Sequence, residues 1–205
     1  MTADRDFRLL SEVPDAQQYI PVLAPWIREA GNPYFDAFFG GETEAVAALE
    51  RWAARPSSEL SLTRTIGLFE DGELAGIVVA LGAPELAACI KADMLAALRD
   101  AGRAGRADLL QRAAGLSGLR PALEPDVFYL SKMTVAPRMR GGGRGRALFR
   151  EGIAAGRRAG YRRFRCEARA TDAVNVRLYE SEGFNIVERT SCPLGQELYV
   201  MTLEE

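Results

Sequence analysis

A glycine-rich run constrains this chain more than any other feature. Residues 138–150 read RMRGGGRGRALFR, with four glycines in five consecutive positions and five arginines around them. Residues 126–135 before the run, DVFYLSKMTV, are rich in aromatic and β-branched types and predict a strand. After the run, Leu148, Phe149 and Ile153 recur with helical spacing. Glycine loses more backbone entropy on folding than any other residue, so four glycines together weaken the fold unless something requires them. At this junction they indicate a ligand that approaches the bare main chain.

A strand that enters a glycine loop and then a helix makes an anion-binding site. The first N–H groups of the helix point outward, and the helix dipole favours negative charge there. Two nucleotide-binding patterns fail on spacing. No Lys-Ser or Lys-Thr pair follows the loop, and the third glycine of a dinucleotide fingerprint is replaced by Arg146 or Leu148, depending on the register. A single Arg-Gly-Gly, residues 140–142, is typical of RNA-binding boxes, but such boxes lie in disordered repeats.

Residues 135–145, VAPRMRGGGRG, instead resemble the acetyl-CoA signature of the GCN5-related N-acetyltransferase (GNAT) superfamily. The shared pattern is Val-x-Pro-x-x-Arg-Gly-x-Gly-x-Gly. The resemblance implies that the cofactor pyrophosphate binds the loop amides and that the pantetheine arm pairs with the strand main chain. The cofactor-binding residues that it implies are Met133, Thr134, Val135, Arg140, Gly141, Gly142, Gly143, Arg144, Gly145 and Arg146.

A second segment, residues 171–184 or TDAVNVRLYESEGF, resembles the family's N-x-x-A-x-x-L-Y-E-x-x-G-F helix. The resemblance implies that Tyr179 lies near the cofactor sulfur and acts as the general acid for the departing thiolate. Asp172 stands where the family has Asn, and Asn175 stands where it has Ala or Ser. Asn175 is therefore a candidate cofactor contact in place of the usual one. The motifs cover residues 126–205, and the first half resembles the family only in element order.

The composition excludes several kinds of site. The 205 residues include no histidine, which removes histidine triads, histidine metal sites and a histidine general base. Cys89, Cys166 and Cys192 have no CxxC spacing, so we expect neither a disulfide framework nor a zinc site, and no metal. The first residues lack the pattern of a signal peptide, and the apolar runs are shorter than a membrane span. We therefore expect a cytoplasmic protein that has no membrane partner.

The charge is uneven along the chain. Residues 138–165 hold ten arginines and one acidic residue, whereas the whole chain has a net charge of −2. This basic segment suggests an anionic partner, and a cofactor with several phosphates suits it. A nucleic-acid-binding role would depend on the arginines alone, and we expect no nucleic-acid partner.

The element order β-α-α-β-β-(αα)-β-α-β-α-β-β predicts a mixed α/β fold in a single domain, residues 1–205. We predict a first strand at residues 7–13 and a helical insertion at about residues 85–123. The strand, glycine loop, helix and next strand predict a right-handed crossover between two parallel strands. The resemblance implies the GNAT acyltransferase fold, a twisted, mostly antiparallel sheet that has helices on both faces.

The sequence leaves the identity of the general base undecided. Glu124, Asp126 and Glu167 lie at or near the strands that should flank the thioester, and a chain of water molecules is the alternative. Cys166 is either an acyl carrier or a buried thiol, and the direct transfer that the family implies favours the thiol.

The acceptor site is also open. Residues 31–41, GNPYFDAFFGG, either line the acceptor pocket or belong to the core. The insertion is a lid over the acceptor, a homodimer contact or neither. The aromatic candidates for the pocket are Tyr34, Phe35 and Phe38, with Phe39 beside them.

The resemblance implies an acetyl-CoA-dependent N-acetyltransferase that acts on a primary amine by direct transfer. The alternatives are transfer of another acyl group, a hydroxyl acceptor, and a non-catalytic CoA-binding domain that regulates or binds a partner. The acceptor itself is undefined, and drugs, polyamines, amino acids, peptide N-termini and protein lysines are all compatible with the sequence.

Overall fold

Seven strands form one sheet in the computed structural model, which describes residues 5–116, 123–191 and 194–205. The strand order is β1-β2-β3-β4-β5-β7-β6, and every neighbouring pair is antiparallel except β4 and β5. The predicted mixed sheet with one parallel pair is therefore confirmed. The strands are β1 Arg5–Leu9, β2 Thr65–Glu70, β3 Glu73–Gly82, β4 Val127–Val135, β5 Arg163–Arg169, β6 Asn185–Ser191 and β7 Glu197–Glu204.

Helices cover both faces of the sheet, since apolar side chains of β3 point alternately to one face and the other. Ile77 and Val79 pack with the helices of the first half of the chain, whereas Val78 packs with the helix that follows the glycine loop. The helices are α1 Ile20–Gly31, α2 Tyr34–Phe39, α3 Glu42–Ala53, α4 Ala83–Asp100, α5 Gly102–Gly115, α6 Arg144–Arg158 and α7 Ala173–Ser181. Within the described ranges, no helix is long and apolar enough to cross a membrane.

The predicted first strand, residues 7–13, is wrong at both ends. The strand is Arg5–Leu9, and Leu10–Glu12 form a 3-10 turn instead. Leu9 pairs with Ile66, and only Thr65 of β2 lies beyond that pair, so a longer first strand would run past the end of β2. Leu10 is buried in the core, which favours the turn over an extended edge.

The predicted insertion consists of α4 and α5, which meet at Ala101. Leu86 and Cys89 of α4 pack against Leu81 of β3, and Arg112 of α5 donates a hydrogen bond to the Phe38 carbonyl at 3.0 Å. The helices are thus docked on the sheet and on α2. Residues 117–122, near the end of the predicted insertion, lie outside the described residues.

The parallel strands β4 and β5 separate after a short contact. They pair only between Val127–Tyr129 and Arg163–Arg165, whereas β4 continues to Val135. On its other side β4 stays paired with β3, and the register shift leaves Ser131 as one extra residue, a β-bulge. Beyond Tyr129, the edge of β4 that faces β5 is therefore open.

Candidate functional site

Two adjoining clefts occupy the gap between β4 and β5. The larger, which we call the loop cleft, has a volume of about 840 Å³ and is lined by the end of β4, the glycine loop and the first turn of α7. The smaller, which we call the side cleft, has a volume of about 170 Å³ and lies against β5 and the α1–α2 junction. The two share four lining residues, Ala30, Arg169, Asp172 and Asn175, and so lie side by side.

The glycine loop has a backbone that only glycine adopts readily. Gly141, Gly142 and Gly143 have φ angles of +91°, +58° and +76°. A Cβ at Gly141 or Gly143 would meet no atom within 4 Å, so the demand for glycine there comes from the backbone conformation. At Gly145 the backbone is not left-handed, and a Cβ would make an ordinary 3.8 Å contact with Leu178.

The loop and the start of α6 present free amides. Among the hydrogen bonds of the described residues, the N–H groups of Gly143, Gly145 and Arg146 have no acceptor. These three residues also line the loop cleft. Unpaired amides at a helix N-terminus bind phosphate oxygens, and the open space at Gly143 lets an anion approach the main chain. The residues present therefore fit the pyrophosphate of a CoA thioester.

The predicted loop arginines form ion pairs in the structure. Arg140 pairs with Glu29 of α1 at 2.6 Å, and Arg146 pairs with Glu182 at 3.3 Å. Arg144 pairs with the buried Glu70 of β2. All three still line the loop cleft, so they combine a cleft position with a structural contact.

The end of β4 forms the inner wall of the loop cleft. Met133, Thr134 and Val135 line it, while their main chain pairs with β3 on the opposite side. Their other edge is the open edge left by the departure of β5. The Val135 carbonyl accepts a 3.4 Å hydrogen bond from Arg140 Nε. The other strand N–H and C=O groups on the open edge are available to an extended amide-bearing ligand such as a pantetheine arm.

Asp172 is the N-cap residue of α7. Its carboxylate accepts hydrogen bonds from the Asn175 main-chain N–H at 3.1 Å and from the Asn175 side-chain amide at 2.8 Å. The cap fixes Asn175 at the junction of the two clefts.

Tyr179 is buried on the same helix. Its side chain is 8% exposed, and its ring stacks on Phe149 at 4.3 Å between centroids. Burial, with smaller contributions from nearby Cys166 and Asp172, raises the pKa of Tyr179 well above its usual value. The phenol therefore carries its proton at neutral pH. Leu178 lines the loop cleft, whereas Tyr179 is not among the lining residues of either cleft.

Glu167 is the only one of the three candidate bases that lines a described cleft. Its carboxylate accepts hydrogen bonds from the Tyr129 hydroxyl and, at 3.0 Å, from Arg165 Nε. Glu124 and Asp126 instead lie at the surface beside Arg163, at 3.7 and 3.0 Å. The geometry places one carboxylate at the side cleft.

The predicted aromatic pocket is corrected in part. Phe35 and Phe38 are 0% and 2% exposed and belong to the core, because α2 packs them against α1 and α3. Tyr34 alone of the three lines the side cleft, and its ring stacks on Phe38 at 5.9 Å. Phe39 is partly buried and packs edge-on against Trp52. The aromatic cluster is thus mostly core, with one member at the side cleft.

Cys166 is a buried thiol. Burial raises the pKa of its thiol well above the usual value, so it is protonated and poorly nucleophilic at neutral pH. Cys192 lies outside the described residues. In the described part of the chain, no group of three or more His, Cys, Asp or Glu side chains could hold a metal ion.

The sequence interpretation missed several residues of the loop cleft. Glu29 and Ala30 come from the end of α1, about a hundred positions before the glycine loop, and carry no local motif. Arg169 lies at the end of β5 and donates a 3.4 Å hydrogen bond to the Asn32 carbonyl. Val174 and Arg177 lie beside Asn175 on α7, where the helical spacing was a usable signal.

Comparison with known proteins gives a family and a fold. The model of the acetyltransferase (GNAT) family matches residues 25–184. No curated protein sequence shows a significant match to this chain.

Solved structures resemble this chain over almost its whole length. A crystal structure of an acetyltransferase is 19% identical, with 92% of this chain and 95% of the other covered and a TM-score of 0.67. An N-acetyltransferase from Staphylococcus aureus Mu50 is 11% identical, with coverage of 91% and 96% and a TM-score of 0.70. The PaiA N-acetyltransferase from Thermoplasma acidophilum, in complex with coenzyme A, is 14% identical, with coverage of 98% and 99% and a TM-score of 0.55. At such identities the likeness shows a shared fold.

Proposed function

The chain belongs to the acetyltransferase (GNAT) family, and on this premise we propose that it transfers an acetyl group from acetyl-CoA to a primary amine. The family supports acyl transfer from a CoA thioester. The observation that carries the proposal is the glycine loop, whose free amides open onto a cleft that continues along the exposed edge of β4. The side cleft lies directly beside it, so we place the two substrates in neighbouring clefts.

Binding and orientation are the first contribution of the chain. The amides of Gly143, Gly145 and Arg146 would hold the pyrophosphate, and the main chain of Met133 to Val135 would align the pantetheine arm. Acetyl-CoA supplies an activated acetyl group as its thioester. Holding this group and an amine in adjoining clefts makes the reaction effectively unimolecular, which is a large part of the rate gain in direct transfer.

Proton transfer is the second contribution. The amine nitrogen forms a bond to the carbonyl carbon, the carbon–sulfur bond breaks, and the nitrogen gives up its second proton to solvent, from which the proton donor is later restored. The thiolate takes up a proton. We assign that proton to the Tyr179 hydroxyl, because Tyr179 stands at the family's tyrosine position on α7, next to Leu178 of the loop cleft. A main-chain N–H on the open edge of β4, near Met133, is the proposed donor to the oxyanion.

The amine must lose a proton before it can attack. Glu167 is the proposed acceptor of that proton, since its carboxylate lines the side cleft beside Tyr34 and Ser131. The hydrogen bonds from Tyr129 and Arg165 fix its orientation. The side cleft is therefore the proposed binding site of the amine.

The test is release of CoA thiol from acetyl-CoA in the presence of a panel of primary amines. The panel should include polyamines, amino acids, aminoglycosides and peptides with a free N-terminus. The proposal predicts amine-dependent thiol release and an acetylated amine in the mass spectrum. If the protein binds CoA but releases no thiol with any amine, the non-catalytic CoA-binding alternative replaces it. If CoA thiol is released faster from a longer acyl-CoA than from acetyl-CoA, the longer acyl group replaces acetyl in the proposal.

A further inference from the structure

Three charged side chains on the β1–β2 side of the glycine loop hold it in place: Arg5, Glu70 and Arg144. We call them the loop buttress. Glu70 lies at the end of β2 and is 4% exposed, although it is a carboxylate. Arg5 is its direct cross-strand partner on β1, and Arg144 is the first residue of α6. A buried carboxylate persists only when it is paired and hydrogen-bonded.

Both arginines donate to Glu70. Arg5 Nε lies 2.9 Å from one carboxylate oxygen, and Arg144 Nε lies 2.6 Å from the other. These contacts hold the pKa of Glu70 below its usual value, so the carboxylate is charged at neutral pH. The buttress therefore contains one anion between two cations.

The same arginines also reach the loop main chain. Arg5 donates to the Gly142 carbonyl at 2.7 Å, and Arg144 donates to the Gly141 carbonyl at 3.3 Å. In a planar trans peptide the N–H points opposite to the C=O. The N–H groups of Gly142 and Gly143 therefore point away from these guanidinium groups. Arg5 lines a separate outer groove beside α6, and not the loop cleft.

We infer that Glu70 and Arg5 are positioning residues for the phosphate-binding loop, and that they pre-set its peptide planes for the cofactor. This inference rests on the proposed function, because it assumes that the loop binds CoA. Three consecutive left-handed glycines have many other accessible conformations, and binding would otherwise require their ordering. The pairing of Arg144 with Glu70 gives this arginine the same positioning role, alongside its place in the cleft wall.

The experiment is calorimetric titration with CoA of the wild type, Glu70→Gln, Arg5→Met and the control Glu73→Gln. Glu73 lies on the same hairpin and pairs with Arg138, but it is exposed and does not contact the glycine loop. We expect Glu70→Gln and Arg5→Met to raise the CoA dissociation constant about tenfold or more, and Glu73→Gln to leave it within about twofold.

A steady-state measurement separates positioning from general destabilisation. We expect the KM for acetyl-CoA to rise in Arg5→Met and Glu70→Gln while kcat at saturation stays close to wild type, because the buttress does not touch the reacting atoms. A merely unstable variant would lose kcat at constant KM.

The outcomes separate this inference from the proposed function. If the wild type binds CoA and Arg5→Met binds it as tightly as Glu73→Gln does, the buttress inference is wrong and the acetyltransferase proposal stands. If the folded wild type does not bind CoA, the proposed function itself fails. Arg5 is partly exposed at the first residue of β1, so Arg5→Met decides the question even if Glu70→Gln does not fold.

Discussion

The proposed proton donor, Tyr179, differs from a surface tyrosine in one respect, its burial against Phe149. Tyr179→Phe keeps that stacking and removes only the hydroxyl. We expect kcat to fall by about a hundredfold or more, as is usual when a general acid is lost, with little change in CoA affinity. The matched control is Tyr161→Phe, which alters a partly buried tyrosine that packs against Phe128 and does not lie on α7. Equal activity of Tyr179→Phe and wild type would remove the residue from the mechanism.

The raised pKa of Tyr179 also predicts a pH effect on stability. An unfolded tyrosine ionises near pH 10, whereas folded Tyr179 stays protonated above that value. The unfolded state therefore loses the proton first, and the free energy of unfolding should fall as the pH rises above about 10. Urea denaturation at pH 8 and pH 10.5 measures this, and Tyr179→Phe should show a smaller fall.

Glu167 carries the third prediction at the scale of single residues. Glu167→Gln keeps an acceptor for Arg165 but cannot take a proton from the amine, so kcat/KM for the amine should fall about a hundredfold. Asp126→Asn is the control, because Asp126 is an exposed carboxylate paired with Arg163 and lines neither cleft. An unchanged rate in Glu167→Gln would favour a water chain as the proton acceptor.

At the scale of elements, α6 positions the loop because it packs closely on the sheet. A Cβ at Gly156 would lie 2.6 Å from ring atoms of both Phe128 and Phe164, which are buried and cannot move freely. Gly156→Ala should therefore lower the free energy of unfolding by about 1–3 kcal/mol. Gly105→Ala on α5, where a Cβ meets only Ala101 at 3.4 Å, should raise it by about 0.5–1 kcal/mol. Denaturant titration gives both values.

Helix α4 of the predicted insertion is held by a buried carboxylate. Asp93 accepts hydrogen bonds from the Ser58 hydroxyl at 3.1 Å and the Glu59 N–H at 3.0 Å. Asp93→Ala would leave buried donors unpaired, which should cost about 2–3 kcal/mol. Asp100 also lies on α4, where it forms a more exposed ion pair with Arg51 of α3. Asp100→Ala should therefore cost under about 1 kcal/mol. Similar losses in the two variants would contradict a docking role for Asp93.

At the scale of the whole molecule, the sequence predicted the second half better than the first. The glycine loop, Tyr179 and the Asp172 cap lie in short motifs whose local chemistry fixes their structure. Glu29 and Glu70 reach the loop from 111 and 74 positions away, so no local pattern marks them. Periodicity could not separate core from cleft for Phe35 and Phe38, because both environments accept an apolar ring.

The whole molecule brings two halves of the chain to the proposed cofactor site, and one measurement tests that proposal directly. Acetyl-CoA is titrated calorimetrically into the wild type, Gly143→Glu and Gly160→Glu. Both glycines have left-handed backbones, with φ of +76° and +88° and open space around them, but only Gly143 lines the loop cleft. We predict micromolar binding by the wild type and Gly160→Glu and none by folded Gly143→Glu, where bulk and charge fill the phosphate site. Equal binding by the two variants, or none by the wild type, would contradict the account.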